Sequence, residues 1–143
     1  MSVCTFFGHK ECHNLDAQVL RNAIEDLIQQ GADLFYVGHQ GHFDAMVYSC
    51  LKQLHNVYPH IQFFVVLAYL PIKKPDHPET ANTLYPEIEG YPKFAIDRRN
   101  RWMIHAADHC LCYITHTWGG AYKFARIAKQ KGLNIVNLGS AVL

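Results

Sequence analysis

The chain has 143 residues, half of them hydrophobic and 17% charged, which points to one domain large enough to bury a proper core. Thirteen basic against twelve acidic side chains, scattered rather than clustered, exclude an electrostatic grip on nucleic acid. No apolar run reaches the roughly 20 residues that span a bilayer, and no basic-plus-apolar leader precedes Val3, so a cytoplasmic protein without membrane association is expected.

Taken in chain order, apolar runs of strand length alternate with helical patterns, the mark of a parallel sheet covered on both faces. The first strand is expected at about Val3–Phe7 and empties into Gly8-His9-Lys10. Asn14 is the expected N-cap of a first helix, with Leu15, Val19, Leu20, Ala23, Ile24, Leu27 and Ile28 at helical spacing and Gly31 as its stop. A second strand at about Leu34–Val37 leads into Gly38-His39-Gln40-Gly41 and a helix at about His42–Asn56. The third strand, about Ile61–Leu67, is nearly continuous in Ile, Phe and Val, as a strand buried on both faces should be.

Pro71 to Pro92 holds five of the six prolines and little periodicity, so it reads as a lid or flank beside a site. A helix at about Phe94–Ala106 follows, then a fourth strand at about His109–Ile114, which runs into Thr115-His116-Thr117-Trp118-Gly119-Gly120. The last helix, about Ala121–Lys131, ends at Gly132 before a fifth strand at about Asn134–Leu138. The expected fold is α/β: a single Rossmann-like domain over residues 1–143, with a five-stranded, mostly parallel sheet in the order 3-2-1-4-5.

Five cysteines, an odd number in largely apolar contexts, read as reduced thiols filling the core. Among the ten histidines, His9 and His13 with Cys12 put three potential ligands within five residues, and His39 with His42 offers another pair. No second pair of zinc type (Cys-x-x-Cys or His-x-x-x-His) follows, and no metal site is expected. The surplus histidines read as loop and surface groups, some of them able to hydrogen-bond a ligand.

Three strands thus end in glycine before a helix, and each such junction offers bare backbone N–H groups and a helix dipole to an anion. Each also serves as an ordinary tight turn. The order 3-2-1-4-5 sets strands one and four side by side, so that Gly8, Gly38–Gly41 and Gly119-Gly120 gather at one crevice. Asp44, one turn into the second helix, either complements the dipole, binds a ribose hydroxyl or acts as a base. Arg98 and Arg101 share a helix face, whereas Arg99 pairs with Met103; a guanidinium here suits a phosphate or a solvated basic face. Neither a Rossmann G-x-G-x-x-G nor a Walker G-x-x-x-x-G-K-[ST] is present.

Thr5-Phe6-Phe7-Gly8-His9-Lys10 resembles the T-x-x-G-H-[RK] opening of a bacterial branch of the SLOG superfamily. Gly38-x-x-Gly41-x-Phe43-Asp44 is similar to its second-strand motif, and Arg99-Asn100-Arg101-Trp102-Met103-Ile104-x-x-Ala107-Asp108 to its R-N-x-x-M-[VI]-x-x-[SA]-D segment. Gly119-Gly120, with Ala125 and Ala128 beyond, matches its glycine junction before the last helix. The resemblance covers nearly the whole chain in order. It implies a Rossmann-like sheet, a nucleotide or nucleotide-derived ligand in the crevice, no separate cofactor, and a homodimer.

On this reading Gly8, His9, Lys10, Gly38, Gly41, Asn100, Thr117, Gly119 and Gly120 bind the ligand, with Asp44 and Arg99 as the catalytic candidates. The LOG-type phosphoribohydrolases of the same superfamily, often labelled lysine decarboxylases, cut nucleoside monophosphates with an arginine and with the glutamate of P-G-G-x-G-T-x-x-E. Here the stretch is Trp118-Gly119-Gly120-Ala121-Tyr122-Lys123-Phe124, without the proline, the Gly-Thr or the glutamate. The general acid that assists departure of the base is missing at its usual place. The expectation is therefore a nucleotide sensor or carrier first, and an N-glycosidic hydrolase with a non-standard acid second.

Overall fold

Alternation of apolar residues decides how each strand divides its side chains between two helical layers. The structure, a computed structural model, describes residues 1–69, 82–86 and 90–143. In chain order it has β1 (Ser2–Gly8), α1 (Ala17–Gln29), β2 (Ala32–Val37), α2 (His42–Val57), β3 (Gln62–Val66) and β4 (Thr83–Leu84). A 3₁₀ turn at Pro92–Phe94 then leads into α3 (Ala95–Ala106), β5 (His109–Tyr113), α4 (Gly120–Gln130) and β6 (Asn134–Asn137). Along β1, Cys4 and Phe6 join the core under α1 and α2, whereas Phe7 joins the core under α3 and α4. Phe6 stacks on Phe35 at 6.1 Å and Phe7 on Phe124 at 5.8 Å, one contact in each layer. Each buried aromatic or leucine of this kind contributes roughly 1.5–3 kcal/mol of hydrophobic stabilisation.

The sheet is parallel at every pairing, in the order β4-β3-β2-β1-β5-β6. The α/β class and the inner order expected from sequence hold, but the described residues form six strands rather than five. The added strand is β4, tied to β3 by Val65 N–H to the Asn82 carbonyl and Leu67 N–H to the Leu84 carbonyl, both at 2.8 Å. Two residues among prolines carry no periodicity, so the pattern that reveals the longer strands is silent here. Of the proposed lid, residues 71–81 and 87–89 lie outside the described residues.

A second correction concerns the start of α1. Its cap is Asp16, not Asn14: the Asp16 carboxylate accepts the Gln18 N–H at 2.7 Å. Both residue types cap well, and the one adjacent to the first helical turn is the one used. All five cysteines are buried and unbridged, filling core space. Among the described residues no helix is long and apolar enough to cross a membrane.

After β1 the chain builds outward to β4, then returns to lay β5 on the other flank of β1. Gly8 pairs with Tyr113 across that switch, so β1 and β5 end together. A parallel sheet opens its crevice there, beyond the carboxyl ends of the strands.

Candidate functional site

The cleft at this switch point has a volume of about 700 Å³. Its lining comes from the end of β1 with His9, Lys10 and Glu11 beyond it, Gly38 and Gln40 after β2, Asp44 of α2, the α3 face of Ile96, Arg99, Asn100 and Met103, and the segment around the start of α4 as far as Phe124. Of the residues expected from sequence, Gly8, His9, Lys10, Gly38, Asp44, Arg99, Asn100, Gly119 and Gly120 all line it. Gly41 and Thr117 do not. Gly41 is instead the joint at which α2 begins, with φ of 97°, and a methyl group there would sit 2.8 Å from the Lys10 Cα. Next to it, His42 N–H donates to the Lys10 carbonyl at 2.9 Å, pinning the β1 loop to the start of α2.

The three arginines of α3 part ways. Arg99 is 3% exposed; its Nε donates to the Asn100 carboxamide oxygen at 2.7 Å and its Nη1 to the Val66 carbonyl at 3.0 Å. The end of β3 and a neighbouring side chain therefore fix the guanidinium plane at the cleft floor. Arg98 instead reaches the Tyr91 carbonyl at 2.8 Å, and Arg101 pairs with Asp97, which also holds Lys123 of α4. Exposed pairs of that kind contribute little to stability. The i, i+1 step on the helix thus separates one buried cation from two peripheral ones.

Asp44 faces Arg99 across the Gly38 backbone: a methyl group on Gly38 would lie 3.0 Å from the Asp44 carboxylate and 3.1 Å from the Arg99 guanidinium carbon. The carboxylate reaches back to accept the Gln40 N–H at 2.9 Å, much as the acidic member of a capping box does. Burial pushes the Asp44 carboxyl up to about 6, against the opposing pull of the Gln40 N–H and the Arg99 charge. Arg99 is drawn down by the same burial, but an arginine starts so high that it stays cationic.

The opposite wall is aromatic. His9, His116 and Trp118 form a stack of three rings, with centroids 3.7 Å and 3.8 Å apart and planes inclined by 17° and 21°. His9 is 8% exposed, and its Nε2 receives the Thr115 N–H at 3.0 Å. That amide is a donor only, so Nε2 is unprotonated and the neutral ring carries its proton on Nδ1. Burial, with His116 beside it, lowers the His9 basicity accordingly. Nδ1 of His116 is buried and has no hydrogen-bond partner among the described residues. At the rim, Trp118 is 68% exposed.

Sequence reasoning missed His116 and Trp118 as site residues. His9 and His116 stand far apart in the chain, so no spacing rule pairs them. The readable signal was a tryptophan directly before a Gly-Gly helix start, where a buried core residue has no reason to be. Among the described residues no group of three or more His, Cys, Asp or Glu side chains is placed to hold a metal ion.

Chemically, the cleft sets two cations, Lys10 and Arg99, against two carboxylates, Asp44 and Glu11, beside the exposed glycines Gly119 and Gly120 and an aromatic wall. That arrangement suits a ligand with an anionic end, hydroxyl groups and a flat ring. In comparison with known proteins, the chain matches no family model, and no curated protein is significantly similar to it.

Proposed function

We propose that this protein binds a nucleotide or nucleotide-derived phosphate ligand in the cleft between β1 and β5, as a SLOG-type sensor or carrier. The observation that carries the reading is that the strand-to-helix glycines Gly8, Gly38, Gly119 and Gly120 line one cleft together with a buried arginine. The α4 start, with Gly119 as N-cap and Gly120 in the first turn, offers the phosphate its N–H groups and the positive end of the helix dipole. Lys10 and Arg99 supply the countercharge. Asp44 and Asn100 orient the sugar through its hydroxyls.

Thermal-shift titration with AMP, ribose 5-phosphate and ADP-ribose tests this. A phosphate ligand raises the melting temperature of the wild-type protein. Gly120→Asp abolishes the rise by placing a carboxylate where the phosphate sits, yet it stays folded because an acidic residue suits the first turn of a helix. No stabilisation by any of the three ligands, or equal stabilisation of the variant, overturns the reading.

One observation favours a second reading, an N-glycosidic hydrolase in which Asp44 stands in for the missing glutamate. A carboxyl held up at about 6 keeps part of its protons near neutral pH, as a general acid protonating a departing base must. Incubation with AMP then releases adenine, and Asp44→Asn abolishes release while retaining AMP binding. Absence of free base from the wild-type protein removes this reading and leaves the first intact.

A further inference from the structure

We infer that the outer face of Trp118 is a base-binding subsite, on which the nucleobase of the bound nucleotide lies as the fourth ring of the His9–His116–Trp118 stack. The inference rests on the phosphate-ligand reading above and adds to it the group that recognises the base.

Three observations carry it. First, the other aromatic residues of the cleft are committed to the core: Phe6, Phe7 and Phe124 are 1%, 6% and 6% exposed, leaving no face for a ligand. Trp118 lines the same cleft at 68% exposure, with one face on His116 and the rest of the indole toward solvent. Second, the indole is already held. An exposed tryptophan free to rotate would lose rotamer entropy on binding a base, whereas one seated on His116, itself seated on His9, has lost it in advance. The stack is in turn anchored by the Thr115 N–H to His9 hydrogen bond.

Third, the geometry of the chain matches that of the ligand. Trp118 immediately precedes Gly119 and Gly120, so the stacking face and the helix-start amides lie within about 7 Å along the backbone. One mononucleotide reaches both. Every base has a flat π face, so the subsite reads the presence of a base rather than its identity. A sugar phosphate gains nothing from it.

The test is calorimetric titration of AMP and of ribose 5-phosphate into the wild-type protein, Trp118→Ala and Trp118→Phe. Wild type binds AMP more tightly than ribose 5-phosphate. Trp118→Ala weakens AMP by about 5- to 100-fold and leaves ribose 5-phosphate within about twofold, while Trp118→Phe restores most of the loss, as a smaller ring should. Equal weakening of both ligands in Trp118→Ala, or no weakening of either, overturns the stacking subsite and leaves the phosphate site standing. Failure of both ligands to bind wild type overturns the subsite together with the reading beneath it.

Discussion

On the β1 and β2 side of the cleft the glycines are hemmed in; on the α4 side they are bare. A methyl group on Gly8 would overlap the Phe43 ring, one on Gly41 would press on the Lys10 backbone, and one on Gly38 would wedge between Asp44 and Arg99. A methyl group on Gly120 would meet nothing within 4 Å. The same motif, an apolar strand ending in glycine, therefore does two jobs. On one side glycine lets α2 and Arg99 close against the strand ends; on the other it leaves a helix start open to a ligand.

The largest expected effect breaks this comparison directly, by adding the same methyl group to each side. Gly8→Ala forces the Phe43 ring out of a fully buried position and destabilises the fold by roughly 2–4 kcal/mol, as overpacking a core does. Gly120→Ala sits in the first turn of α4 without strain, leaving stability unchanged or raising it by up to about 1 kcal/mol through helix propensity. Urea denaturation of both variants measures the pair. Similar stability losses at the two positions would falsify the division into packed and open glycines.

The same contrast explains what could be read from the chain beforehand. The strand-and-helix alternation, the inner sheet order and the convergence of the glycine junctions followed from periodicity and from the switch-point rule, because long apolar runs carry their own signal. β4 stayed hidden because two residues cannot show a period. Sequence marks a glycine but not its cause: whether a side chain presses on it or a ligand needs it depends on neighbours such as Phe43 and Arg99, brought in by other elements. The motif reading accordingly placed Gly41 and Gly8 alike in the ligand set, whereas Gly41 serves the joint between Lys10 and α2. The His9–His116 contact was illegible for a related reason, since it joins the ends of β1 and β5, neighbours in the sheet but far apart in the chain, and only Trp118 before Gly119-Gly120 left a signal.

A smaller effect sharpens the picture on the packed side, where Gly38 brings Asp44 and Arg99 together at the price of burying a carboxyl. The Asp44 carboxyl stands at about 6 in the folded protein against an ordinary value of 3.8. Between those two values the folded state binds more protons than the unfolded chain, so this group's contribution makes stability fall as pH rises from about 4 to 6. The sign is opposite to that of a salt-bridged carboxylate, because burial outweighs the attraction of Arg99. The gap of about two pH units corresponds to at most about 3 kcal/mol, and partial solvent contact of the side chain reduces it to about 1–2 kcal/mol. Asp44→Asn keeps an oxygen for the Gln40 N–H but cannot ionise. Its stability should match wild type near pH 4 and exceed it by about 1–2 kcal/mol at pH 7, as measured by urea denaturation at each pH. Parallel pH profiles for the two proteins would mean that water reaches Asp44 freely, and that the packed side of the cleft is as open as the α4 side.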